Sequence, residues 1–149
     1  MSTARLDAAA IRSLIPHADR MCLLDEVLEW DADHVVCSAV SHRDPEHPLA
    51  VDGRLAALHL IEYGAQAMAV HGGLLARAVG QSAPPGMLVS VRNACFTVER
   101  LDDVPAPLIV RAVRRIAGAT GWLYDFEAEG GGHRLGHGRV SVIPTRAPT

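Results

Sequence analysis

A single carboxylate stands in the stretch LHLIEYGAQAMAVH, residues 58–71, among neighbours that are mostly Leu, Ile, Ala, Met and Val. The spacing is helical, and residues three and four apart on a helix share a face. Glu62 therefore lies with Leu58, His59, Ala65 and Gln66, and one turn further with Ala69. A carboxylate facing apolar neighbours loses hydration, which raises its pKa and makes a neutral proton donor available near neutral pH. The alternative is a Glu62 that reaches solvent or a subunit interface and finds a hydrogen-bond partner there.

The other residue types that carry chemistry are less informative. Eight histidines invite a zinc hypothesis, but no HExxH, CxxC or paired Cys/His ligand spacing occurs, and no metal site is expected. His133 and His137 sit in GGGHRLGHG, which reads as a hairpin connection entering a strand. Cys22, Cys37 and Cys95 are isolated and have apolar neighbours, so they read as small buried hydrophobes. All fourteen basic residues are Arg. Without lysine, Schiff-base catalysis and a P-loop are excluded.

The elements that must position Glu62 follow from length and pattern. A chain of 149 residues, 49% hydrophobic and 21% charged with net charge −3, suits one globular domain with its own core. The balance is too acidic for a general nucleic-acid binder. The N-terminus contains Asp7 and lacks the apolar core of a signal peptide, and no run of about 18 apolar residues follows, so a cytoplasmic protein with no membrane contact is expected.

Asp7 can cap a short helix through Ser13, stopped by Pro16. Residues 21–31 and 34–41 read as strands joined by the turn Asp31-Ala32-Asp33. A loop, RDPEHPLAVDG (43–53), precedes one long apolar helix over about Leu55 to Val79, closed by Gly80. Strands are expected over 86–99, 107–116, 121–129 and 133–144, each bounded by Gly, Pro or Asp, and RAPT at the end as a frayed tail. In the third of these, Trp122, Tyr124, Phe126 and Ala128 alternate with Leu123, Asp125, Glu127 and Glu129, which predicts a half-buried antiparallel strand. Six strands and a single apolar helix after the second give an α+β class, a six-stranded antiparallel sheet wrapped around one long central helix. That order is similar to the hotdog fold.

Two segments extend the resemblance. LIPHADRMCLLDEV (14–27) resembles the opening of FabZ-type β-hydroxyacyl-acyl carrier protein dehydratases, typically LPHRxPFLLVDRV. LIEYGAQAMA (60–69) resembles their central helix IEAMAQ, with Glu62 and Gln66 on its Glu and Gln. Over about residues 11–144 the chain is most similar to the ApeP-like predicted dehydratases of aryl-polyene clusters, whose helix reads EYxAQAxA. The resemblance implies elimination of water from a β-hydroxyacyl thioester, or the reverse. The substrate would be carried on the phosphopantetheine of an acyl carrier protein, and no protein-bound cofactor would be needed. A loop His would remove the α proton, Glu62 would protonate the leaving hydroxyl, and the two would come from different subunits of a homodimer or a heterodimer of hotdog chains. Backbone N–H groups near the helix start, at Leu55 and Ala57, would hold the thioester oxygen.

The loop departs from the family pattern GHFPxxPxxPG, because position 48, fourteen residues before the Glu, is Pro. His47 is the nearer substitute and His42 the fallback, while the usual Pro-Gly has become Ala56-Ala57. His17 matches an early family His with a structural role. Gln66 would orient the acid or line the acyl channel. His59, one turn from Glu62, is a local partner if His47 proves distant, and His71 would be packed or at an interface. Arg111, Arg114, Arg115, Arg134 and Arg139 form either a patch for an acidic carrier protein or a solvated strand face. Two other functions share these features: a non-catalytic or half-site subunit of a heteromeric dehydratase, and an acyl thioesterase using the same acid to activate water.

Overall fold

Asp7 accepts a hydrogen bond from the Ala10 N–H at 2.9 Å and so caps the first helix, α1 (Ala8–Leu14). The structure, a computed structural model, describes residues 5–15, 21–84 and 86–145. Ile15 is already extended, as the residue before a proline tends to be. Pro16, His17 and the RAPT tail lie outside the described residues.

Six strands follow the expected order: β1 (Glu26–Trp30), β2 (His34–Ala39), β3 (Gly86–Phe96), β4 (Leu108–Gly118), β5 (Gly121–Gly130) and β6 (His133–Pro144). They form one antiparallel sheet in the order β1-β2-β4-β5-β6-β3, with α2 (Leu60–Ala78) packed against it. Asp31 closes the first hairpin by accepting from the N–H groups of Asp33 and His34 at 2.8 and 2.9 Å. The β5–β6 hairpin turns on Gly131 and Gly132, whose φ of 60° and 81° is the conformation that a two-residue primed turn needs.

The two largest departures from the expected boundaries, each of five residues, have the same reason. β1 begins at Glu26 rather than Met21 because Leu23 gives its N–H to Gln66 and its carbonyl to Ser41, leaving neither for a strand partner. The long helix begins at Leu60, after a 3-10 turn over Ala57–His59. Before it, the backbone is bonded sideways. Leu55 N–H donates to Asp102 Oδ1 at 2.9 Å, Ala57 N–H to the Glu99 carbonyl at 3.0 Å, and Leu101 N–H to the Leu55 carbonyl at 2.8 Å.

α2 lies close on the sheet. A Cβ at Gly64 would stand 2.5 Å from the Phe126 ring, and one at Gly138 would stand 2.9 Å from it, so both glycines admit the aromatic ring between helix and sheet. Tyr63, Gln66, Ala67, Val70 and His71 are fully buried in the helix. His71 accepts from the Tyr124 hydroxyl at Nδ1 (2.6 Å) and donates from Nε2 to the Asp31 carbonyl (2.8 Å), which ties the middle of α2 to the β1–β2 turn and to β5.

One sheet edge has no cover among the described residues. β3 exposes Met87, Leu88, Val89 and Val91, and its Cys95 is exposed, against the expectation that all three cysteines are buried. Cys37 is buried, and burial pushes its thiol up to about 12. Among the described residues, no helix is long and apolar enough to cross a membrane.

Gly64→Ala should lower unfolding free energy by about 1–3 kcal/mol, because Phe126 must leave its place; urea denaturation measures this. Burial holds His71 neutral, with its pKa below the ordinary histidine value. The unfolded chain takes up a proton near pH 6.5 and the folded one does not, so this contribution is complete above that pH and is lost as pH falls toward the lowered folded value. His42 and His47, also lowered by burial, act in the same direction. In denaturant titrations across that range, His71→Leu should be less stable at neutral pH and should lose less on acidification.

Candidate active site

Glu62 sits in the first turn of α2, half-buried, and its Oε1 accepts from Gln66 Nε2 at 3.1 Å. Gln66 has no exposed surface. Its Oε1 accepts from the Leu23 N–H at 2.9 Å, and its Nε2 also donates to the Met21 carbonyl. These partners fix which end of the amide is nitrogen, because an N–H needs an acceptor and a carbonyl a donor. When Glu62 carries a proton, an Oε1 that accepts from Gln66 leaves that proton to Oε2. Gln66 therefore fastens the Met21–Leu23 segment to α2 and turns the acid, whose other neighbours on that face, Ala65 and Ala69, are small and half-buried.

The loop histidine is held on another side of the helix. His47 is 5% exposed, and both ring nitrogens have partners within the chain: Nδ1 accepts from Leu49 N–H at 3.1 Å, and Nε2 lies 3.2 Å from the Tyr63 hydroxyl. That hydroxyl is also 2.6 Å from Ser41 Oγ, which donates to the Leu23 carbonyl at 2.8 Å. Proton directions follow. The carbonyl can only accept, so Ser41 spends its hydrogen there, Tyr63 donates to Ser41, and His47 donates from Nε2 to Tyr63. His47 is the neutral Nε2–H tautomer. Burial first, and the neighbouring His59 next, hold its pKa below the ordinary value. Burial likewise pushes the Tyr63 phenol up to about 12, keeping it a hydroxyl.

His42, the fallback, is 1% exposed and lies in the 3-10 turn after β2. Its Nε2 is 3.0 Å from the carbonyls of both Val104 and Ala106, so that nitrogen carries the hydrogen, while the buried Nδ1 has no hydrogen-bond partner among the described residues. A base needs such a lone pair, but this one is sealed from solvent. His59 is half-buried one turn before Glu62. Leu55 and Ala57, expected to hold a thioester oxygen, have their N–H groups engaged by Asp102 and Glu99. The structure thus joins Glu62 to Gln66 directly, and His47 to Glu62 only through a chain of intervening bonds. Tyr63 and Ser41, which make that chain, were not among the expected site residues. A tyrosine beside the acid in an apolar helix was the available signal, since a buried phenol needs a partner.

The arginines divide. Arg111, Arg115, Arg134 and Arg139 line a cavity of about 550 Å³ on the outer sheet face together with Asn93 and His137. Asp125 lies between Arg115 and Arg139 at 2.8 and 2.7 Å, and Glu127 pairs with Arg134 at 2.8 Å. Arg114, opposite the inward-facing Tyr124 beside a bulge, is not in that lining. No group of three or more His, Cys, Asp or Glu placed to hold a metal occurs among the described residues.

Solved structures carry the same fold. The dehydratase heterocomplex ApeI:P from Xenorhabdus doucetiae superposes with a TM-score of 0.82 at 24% identity, covering 91% of both chains. AziG of S. sahachiroi matches at 0.57 and 20%, covering 90% of this chain and 99% of that one. A hypothetical thioesterase with coenzyme A from Streptococcus pneumoniae TIGR4 matches at 0.55 and 15%, covering 83% and 87%. No curated protein matches the sequence significantly. The ApeP-like family model, described as ApeP dehydratase, matches residues 9–148. Nearly the whole chain lies inside that match, and its sheet and central helix are those of a hotdog: the protein belongs to the ApeP-like family of dehydratases.

Proposed function

We propose that the chain eliminates water from β-hydroxyacyl thioesters carried on the phosphopantetheine arm of an acyl carrier protein, as in aryl-polyene synthesis, with Glu62 as the acid. The observation that carries this reading is the Glu62 carboxylate turned by a buried Gln66 on a half-open helix face. In the reaction a base takes the α hydrogen, its C–H pair becomes the double bond, and the β C–O bond breaks. Glu62 gives its proton to the departing hydroxyl, which leaves as water. Each positioned proton transfer contributes roughly 100- to 10,000-fold.

The base comes from a facing hotdog chain. Both loop histidines of this chain, His47 and His42, already donate to internal acceptors, and neither presents an accessible lone pair. A second identical copy would bring the same committed rings, which favours a non-identical partner and makes this chain the acid-bearing half of the site. His59, half-buried one turn from Glu62, is the local alternative. The uncovered β3, with four exposed apolar residues and an unpaired backbone edge, is the surface on which such a chain would add its own strand. The likeness to a dehydratase heterocomplex supports a partner of the same fold. Four arginines against two carboxylates on the outer sheet face offer a surface whose charge suits an acidic carrier protein.

With a β-hydroxyacyl carrier protein as substrate, the wild-type assembly should release enoyl thioester, and Glu62→Gln should turn over roughly 100-fold or more slowly. Free acid plus carrier as the product would instead establish a thioesterase, and full turnover in Glu62→Gln would remove the acid role. Val89→Glu, at an exposed β3 position, should change the stability of the isolated chain by less than about 0.5 kcal/mol. It should nevertheless abolish association in analytical ultracentrifugation; an unchanged sedimentation profile would exclude β3 as the contact.

A further inference from the structure

We propose that Tyr63 is a positioning residue for Glu62, acting through the bonded series His47, Tyr63, Ser41, Leu23 and Gln66. Its hydroxyl has no exposed surface and receives the His47 Nε2–H while donating to Ser41 Oγ. Ser41 holds the Leu23 carbonyl, and the N–H of the same residue holds Gln66 Oε1. Gln66 Nε2 then meets Glu62 Oε1. Each O–H and N–H hydrogen in the series has its own acceptor, with the second Gln66 Nε2 hydrogen on the Met21 carbonyl. The series crosses Leu23 from the carbonyl of one peptide group, through the saturated Cα, to the N–H of the preceding one, and then a carboxamide at Gln66, and neither crossing passes a proton. It therefore transmits position and does not conduct protons. Removing the Tyr63 hydroxyl leaves His47 Nε2–H without its acceptor and frees Ser41 from its donor. The loop around residue 47 and Ser41 then lose their shared anchor, and the Leu23 backbone that sets the Gln66 amide is held by a serine that Tyr63 no longer fixes.

The kinetic arm of the test rests on the dehydration reading, and the spectroscopic arm does not. In the full chain, assembled with any partner that co-purifies, Tyr63→Phe keeps the ring and removes only the hydroxyl. Turnover well below the unfolding temperature should fall about 10- to 100-fold, with KM changed far less, since a small misplacement of a reacting group costs that much. His47→Leu should lose a similar factor, and the double variant should be no worse than either single one, because both break the same bond. His47→Gln, which retains an N–H donor for Tyr63, should recover most of what His47→Leu loses. Independently of substrate, the Gln66 side-chain amide resonances should shift in Tyr63→Phe.

Unshifted Gln66 resonances, effects that multiply in the double variant, or turnover within twofold of wild type would each overturn the assignment. So would a His47→Gln variant as inactive as His47→Leu, which would make His47 the base. Full turnover in Glu62→Gln alone would refute the dehydration reading. In that case the Gln66 resonances would still decide whether Tyr63 sets the amide.

Discussion

A helix buried on most sides must find a partner for each polar atom it takes inside, since an unpaired buried group costs about 1–3 kcal/mol. α2 buries Tyr63, Gln66 and His71, and each finds its partner on a different segment. Tyr63 takes the residue 41–47 region, Gln66 takes Met21–Leu23, and His71 takes the β1–β2 turn together with β5. These three side chains attach several irregular parts of the chain to the central helix. The placement of the acid depends on the same bonds, because Gln66 serves both the backbone at residues 21–23 and Glu62.

Much of this fold was legible from pattern alone. Alternation over residues 122–129, glycine at the β5–β6 turn and a single apolar helix are local signals, and the structure keeps them. The misreadings occur where backbone hydrogen bonds leave their own element. Residues 21–25 have the composition of a strand, but their bonds go to a glutamine and a serine distant in sequence. Residues 55–59 have the composition of a helix, but they are held by the segment at 99–102. Periodicity records which side chains are apolar and carries no information on such cross-chain bonding. Cys95 misled for a related reason: its neighbours are apolar, yet they lie on the strand that nothing among the described residues covers.

The site was legible to a different depth. The face shared by Glu62 and Gln66 follows from a spacing of four, and the structure closes that pair. Which loop histidine could act as a base depended on where each ring points, and ring orientation is set by long-range acceptors: the carbonyls of Val104 and Ala106 for His42, and the Tyr63 hydroxyl for His47. No count of residues before the helix contains that information. A histidine with both nitrogens occupied has the same letter in the sequence as one with a free lone pair.

The open β3 edge also bears on how the chain is made. An eleven-residue strand with apolar side chains exposed and one row of backbone groups unpaired is a template for any other strand, wanted or not. In the reading proposed above, a chain synthesised in excess over a facing partner would carry that template in its fully folded state, so its solubility would become a matter of stoichiometry. Balanced production of the two chains would then protect the protein from aggregation in a way that greater stability of the single chain could not.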